Sequence, residues 1–403
     1  MHLEVIGVGG AGCRIVDRLA ERTGTGQADG RRATTDDQRL DGSFIVDTFA
    51  FDTDPDALAE LAAVPEAHRH RYGTASDGLD GDLRAGLDVG EAHVDELSRV
   101  IDQGSPSKAE AFLLVVGLGG ATGGGTAPAL AADVRELYGT PVYVVGTLPT
   151  NGEIERSEDA RSGGADGPAA PQGPDSGEDT LDRPLAGRNA LRTIDRLNGV
   201  ADAIVPFDNE AYLRTDEGLA TGRGRVNDEL IYRLATFFSL GDRAEGGEVS
   251  AEQTIDASDV DRTFGDETVL AALGYAEQQV DTADDDGSLL GLGLIGGDDE
   301  PDVDTSEAVS AVETVVRKAV RGKLTAECDR SSATGALLAV GGPPAWLNRR
   351  AIADGRSWLE GETQARTVRG GDVPDADADA VFAVALLAGV RDVERIEELR
   401  EQV

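Results

Sequence analysis

Residues 117–128, GLGGATGGGTAP, place six glycines and two threonines between the apolar run AFLLVV and the helical pattern ALAADVREL. So much glycine gives up backbone order, which core packing does not ask for. Anion binding does: without Cβ atoms, backbone N–H groups close on oxygens, and the dipole of the next helix favours negative charge. A second turn, GVGGAG at residues 7–12, follows the opening strand and leads into CRIVDRLAER. It fits GxGxxG, a weak signal alone. Two such turns at one sheet edge suit an extended phosphate chain. Neither carries the Lys of GxxxxGK[ST], which argues against a P-loop NTPase. An NAD(P)-dependent oxidoreductase would use the first turn, with Asp52 or Asp54 on a ribose, and leave the second without purpose.

The elements that must position these turns alternate. Strand patterns at His2–Ile6, FIVDTFAFDTD, AFLLVV and PVYVVGTLP are separated by helical ones, including AHVDELSRVIDQ. Such alternation requires a parallel α/β sheet. Residues 157–187, rich in Gly, Pro, Asp and Ser, read as a disordered acidic insertion. Pattern resumes with RNALRTIDRL, the strand ADAIVPFDN and a long helix at Asn227–Leu240. Beyond residue 250, ALLAVGGPP and AVFAVALLAGV read as strands and SEAVSAVETVVRKAV as a helix. The expected organisation is a nucleotide-binding domain over 1–225, a central helix and connector over 226–249, and a smaller α+β domain over 250–403.

Composition limits the partners. The 403 residues include 76 Asp and Glu against 37 Lys and Arg, a formal charge of −39. Nucleic acid and anionic membranes would be repelled. Lysine occurs only at Lys108, Lys318 and Lys323, and the acid is spread along the whole chain. That pattern fits a high-salt cytoplasm, where a Debye length of ~3 Å screens self-repulsion. Cys13 and Cys328 make neither a disulfide framework nor a metal cluster. No run approaches the ~18 apolar residues of a membrane span, and the N-terminus reads as a strand rather than a leader. A cytoplasmic protein without membrane insertion is expected.

GGATGGGTAP resembles the tubulin/FtsZ signature GGGTGSGxAP. FLLVVGLGGATGGGTAPAL, VPFDNEAY, GGPPAWLNRRAIADGRSWLEGET, VRGGD and ALLAGVRDVERIEEL extend the resemblance over nearly the whole chain, toward the CetZ branch. The resemblance implies a Rossmann-like parallel-sheet GTPase domain joined by a long central helix to a smaller α+β domain. It also implies GTP or GDP as ligand, with Mg²⁺. Gly10, Ala11, Gly12, Cys13 and Arg14 then occupy the first phosphate loop, and Gly119, Gly120, Ala121, Thr122 and Gly123 the second. Glu153 matches the acid that bonds the ribose. Asn209 and Asn227 match asparagines at the ribose and guanine, whose edge suits an amide that both donates and accepts. In QTIDASDV, Asp256 and Asp259 match two catalytic acids that act on the nucleotide of the next subunit. No metal ligand from the protein is assigned.

Head-to-tail contacts of that kind generate filaments, so the implied partners are further copies of the chain and paralogous tubulin-like proteins. The implied role is cytoskeletal, in cell shape or division. Three positions depart from the family: Ala121 replaces the third glycine of the signature, Gly124 replaces its serine, and Arg223 stands where an aromatic usually stacks on guanine. They put turnover in question. A non-hydrolysing regulator or co-assembling scaffold is therefore the alternative to an assembling GTPase.

Overall fold

A computed structural model describes residues 1–25, 39–74, 78–154, 183–246, 249–281 and 303–403. Strand β1 (Leu3–Val8) is buried along its whole length, because helices cover both faces of the sheet. Leu3 and Val5 point into one core, Ile6 and Val8 into the other, as a period of two requires. Helix α1 (Gly9–Thr23) follows at once. Next come β2 (Ile45–Asp52), α2 (Pro55–Ala59), β3 (Arg69–Arg71), α3 (Leu83–Ile101), β4 (Ala111–Gly117), α4 (Ala121–Tyr138), β5 (Val142–Leu148) and α5 (Asn151–Ile154).

Helix α6 (Ala186–Leu197), β6 (Ala203–Asp208) and α7 (Asn209–Tyr212) lead to the central helix α8 (Leu219–Phe238) and to α9 (Leu240–Gly246). The remainder is α10 (Ala257–Phe264), β7 (Val269–Gln279), α11 (Thr305–Arg321), β8 (Gly335–Gly342), α12 (Arg349–Glu362), β9 (Val368–Pro374), β10 (Ala380–Ala388) and α13 (Glu394–Gln402).

The strand order is 3-2-1-4-5-6-7-10-8-9. Strands β1 to β6 are parallel in the order 3-2-1-4-5-6, the doubly wound arrangement that reverses between β1 and β4. Ligands bind at such a reversal, beyond the carboxyl ends of the strands, and both glycine turns lie there. β10 runs antiparallel to β7 and β8. A short parallel pairing, Ala203 with Val269 and Ile204 with Leu270, joins the two halves into one sheet.

Two sequence expectations shift. The central helix starts at Leu219, eight residues before Asn227, and ends at Phe238. Gly222 and Gly224 in its first turns each cost about 1 kcal/mol of helix propensity and mask the pattern. Tertiary contact recovers the turn, since Gly222 is buried. The insertion expected over 157–187 lies outside the described residues except for 183–187, of which Ala186 and Gly187 already belong to α6.

Candidate functional site

Helices α1 and α4 both begin without a side-chain cap. The residues before them, Val8 and Gly120, are extended, so the first-turn N–H groups face outward with no carboxylate or hydroxyl on them. The two N-termini touch. A Cβ on Gly9, whose φ is +73°, would lie 2.7 Å from the Gly123 nitrogen, and one on Gly123 would lie 2.6 Å from the Val8 oxygen. Only paired glycines allow that approach. Two positive dipole ends therefore share one opening.

That opening is a cleft of about 520 Å³ lined by both turns, by Asp52 and Asp54 after β2, by residues 78–81, and by 183–186 with Asn189. A narrower extension of about 50 Å³ shares Ala11, Arg14, Gly119, Gly120 and Arg183 with it, and runs to Glu153, Asn209, Arg223 and Asn227. Of the residues expected at the site, Gly10, Ala11, Arg14, Gly119, Gly120, Ala121, Thr122, Gly123, Glu153, Asn209 and Asn227 line this continuous groove. Thr122 is fixed by a 2.9 Å hydroxyl contact to Thr53.

Gly12 and Cys13 line neither part. A Cβ on Gly12 would meet the Val115 oxygen at 2.0 Å, so this glycine seats α1 on β4. The Cys13 thiol is fully buried, donates at 3.5 Å to the Gly7 and Phe51 carbonyls, and has its pKa driven far up by burial. The glycine run also has a packing role that its composition concealed. Gly125 meets Gly86 of α3 backbone to backbone, and Gly124 has no room for a side chain because the Thr193 hydroxyl lies 2.5 Å from its Cβ position. Pro128, inside α4, brings no N–H to the Gly124 carbonyl, and Thr193 donates to that carbonyl instead at 3.3 Å. The serine hydroxyl missing at 124 thus has a counterpart on α6.

Three arginines, Arg14, Arg183 and Arg223, line the groove together with the carboxylates Asp52, Asp54, Asp80 and Glu153. Arg14 has no ion pair or hydrogen bond among the described residues, and its Nε is sealed without a partner. Burial lowers its pKa, and Arg223 and Arg183 lower it further. A cation held in that state is a site for an anion. Asp52 accepts from the Thr53 and Asp54 amides at 2.7 and 3.2 Å, yet burial lifts its pKa to about 6. Among the described residues no group of three or more His, Cys, Asp or Glu is arranged for a metal ion. Asp52 and Asp54 are carboxylates beside the two helix ends, which suits a cation held largely by phosphate oxygens.

At the other end, Asn209 is buried and its Oδ1 has no partner among the described residues. The Glu153 carboxylate, also buried, accepts from the Thr150 amide at 2.9 Å and the Thr150 hydroxyl at 3.3 Å. Arg183 and Asn189 escaped the sequence reading, the first because it sits in the stretch taken for an insertion. The Arg183 amide donates to the Glu153 carbonyl at 2.6 Å, and Asn189 donates to Gly81 at 2.9 Å and Gly119 at 3.3 Å.

Asp256 and Asp259 lie outside the groove and cap α10 reciprocally. The Asp256 carboxylate accepts from the Ser258 hydroxyl at 2.7 Å and the Asp259 amide at 3.0 Å, while Asp259 accepts from the Asp256 amide at 3.4 Å. The Ser258 hydroxyl, above all, holds the Asp256 carboxyl below its usual range.

Sequence and fold comparisons agree with this architecture. Residues 2–163 match the GTPase domain of the tubulin/FtsZ family, and 216–403 match the C-terminal domain of tubulin-like CetZ. FtsZ of M. jannaschii shares the fold at a TM-score of 0.62 and 19% identity, covering 96% of this chain and 88% of its own. The fold and the groove thus define a protein of the tubulin/FtsZ class. CetZ5 of Haloferax volcanii is 33% identical over 99% of the chain and 91% of its own length, and CetZ1 is 33% identical over 100% and 91%. Solved structures of CetZ1 as a GDP-bound monomer and of CetZ2 as a GTPγS-bound protofilament, both from Haloferax volcanii, each superpose with a TM-score of 0.74. Their identities are 28% and 26%, and they cover 100% of this chain and 98% and 97% of their own. The chain belongs to the CetZ family of tubulin-like proteins. Among the described residues no helix is long and apolar enough to cross a membrane.

Proposed function

We propose that this chain binds GTP and GDP in the groove and assembles head to tail into cytoplasmic filaments, with hydrolysis at the contact between subunits. The observation that carries this reading is the meeting of two uncapped helix N-termini over Arg14, a partly buried cation that makes no ion pair or hydrogen bond among the described residues. A triphosphate completes that arrangement and the helix ends favour its charge. Glu153 faces the ribose. Asn209 and Asn227 serve the ribose and the base, and the guanidinium plane of Arg223 stacks on the base in place of an aromatic ring. Mg²⁺, bound with the phosphates, would neutralise their charge, with Asp52 and Asp54 as the carboxylates at hand.

Asp256 and Asp259 from the next subunit orient the attacking water. Asp256 stays ionised at neutral pH, as that role requires. The protofilament of CetZ2 supports assembly as the setting, and a role in cell shape or division follows from a dynamic polymer. The test is GTP turnover per subunit against protein concentration in molar KCl with Mg²⁺, beside Asp256→Asn, which retains the cap but not the charge. A specific rate that climbs with concentration in the parent and is lost in the variant is expected. Turnover independent of concentration would refute a shared site, and its complete absence would favour a non-hydrolysing scaffold.

A further inference from the structure

The loop that carries Glu153 is tied from behind by the last helix of the chain. Arg395 on α13 is 1% exposed, and each of its three guanidinium nitrogens donates to this loop. Its Nε and Nη2 donate to the Pro149 carbonyl at 3.2 and 2.7 Å, and its Nη1 donates to Asn151 Oδ1 at 2.8 Å. Glu398, one turn on, accepts from the same Nη1 at 2.8 Å and offsets the charge. Pro149 has no N–H, so its carbonyl is the only backbone handle by which it can be held.

The opposite side of the loop is held by α7, where Glu210 accepts from the Asn151 amide at 2.8 Å. Glu153 then folds back on Thr150. Pro149 and Glu153 both line the nucleoside end of the groove, while Arg395 lines no part of it. Leu399 of α13 packs against Gly187, beside groove residue Ala186. Residues some 245 positions apart in sequence therefore form one support.

We infer that Arg395 is a positioning residue for the sugar end of the nucleotide site, so that the C-terminal helix sets ribose selectivity without touching the ligand. This rests on the nucleotide reading above. A carboxylate recognises a 2′-hydroxyl only if its oxygen is held in place, and Arg395 fixes the backbone on which Glu153 stands. Lysine keeps the charge but cannot span the Pro149 oxygen and the Asn151 amide with a planar fork.

The experiment is calorimetric titration of the full chain in molar KCl and Mg²⁺ with GDP and 2′-deoxy-GDP. Parent, Arg395→Met and Arg395→Lys are compared, with thermal melting alongside. The parent binds GDP more tightly than the deoxy analogue. Arg395→Met weakens GDP by about 10-fold and binds both alike, whereas Arg395→Lys retains part of the preference. Unchanged selectivity in the variants, whatever their melting temperature, overturns the inference. If Arg395→Met fails to melt cooperatively, the Arg395→Lys ratio decides alone. A parent that binds neither nucleotide overturns the nucleotide reading itself.

Discussion

Two ionisable groups near opposite ends of β1 have buried atoms without hydrogen-bond partners, and the fold resolves them in opposite ways. Glu4, near the start of the strand, is fully buried with neither carboxylate oxygen hydrogen-bonded among the described residues. Burial, and then the nearby Asp47, push its pKa to about 8. It folds as a neutral acid. Arg14, one turn into the helix that follows β1, keeps its charge because its pKa cannot fall far enough to neutralise it. The first group is sealed inside the core and sheds its charge. The second opens on a groove and stays charged. For an ionisable group, an unpartnered buried atom points to a ligand where the group must stay charged and a cavity reaches it.

The largest effect that would break this contrast is a pH dependence. The unfolded Glu4 carboxyl releases its proton near 4.5, but the folded one holds it to about 8. Its contribution is therefore complete below pH 4.5 and is lost as pH rises through 8, on the order of a few kcal/mol. Chemical denaturation from pH 5 to 9 should show the loss in the parent and a flatter profile in Glu4→Gln. Equal slopes would mean that Glu4 is already ionised.

Arg14→Leu should weaken guanine nucleotide by about 2 kcal/mol, the worth of a hydrogen bond to a charged group, without lowering the melting temperature of nucleotide-free protein. Removing an unpaired buried cation relieves desolvation, so a large drop in melting temperature would show that Arg14 is structural. Smallest is the change at α10, the capped counterpart of α1 and α4. Asp256→Ala should cost about 1 kcal/mol of unfolding free energy and Asp256→Asn much less. Similar losses in both would mean that the Asp256 charge, rather than its cap, stabilises the helix.

Much of the fold was legible in advance because it follows from local patterns. Apolar runs bounded by glycine marked β1, β4 and β5, and alternation with amphipathic helices implied parallel pairing. The two glycine turns were legible for the same reason, since each follows a strand and opens a helix, and both line the groove. The start of α8 was not, because its glycines contradict the helix they belong to.

The sequence by itself determined the chemistry on offer: two glycine-rich turns, the cation at Arg14, the amides at Asn209 and Asn227, and an acid at Glu153. Tertiary structure alone decided how the parts divide the work. It separated Gly12 and Cys13, which seat a helix, from Gly10 and Ala11, which line the groove. It supplied Thr193 where Gly124 lacks a hydroxyl, and brought Arg395 from the last helix to the loop of Glu153. Spacing along a chain fixes which groups can share a turn or a face. Burial and partners depend on residues that meet only after the chain has folded.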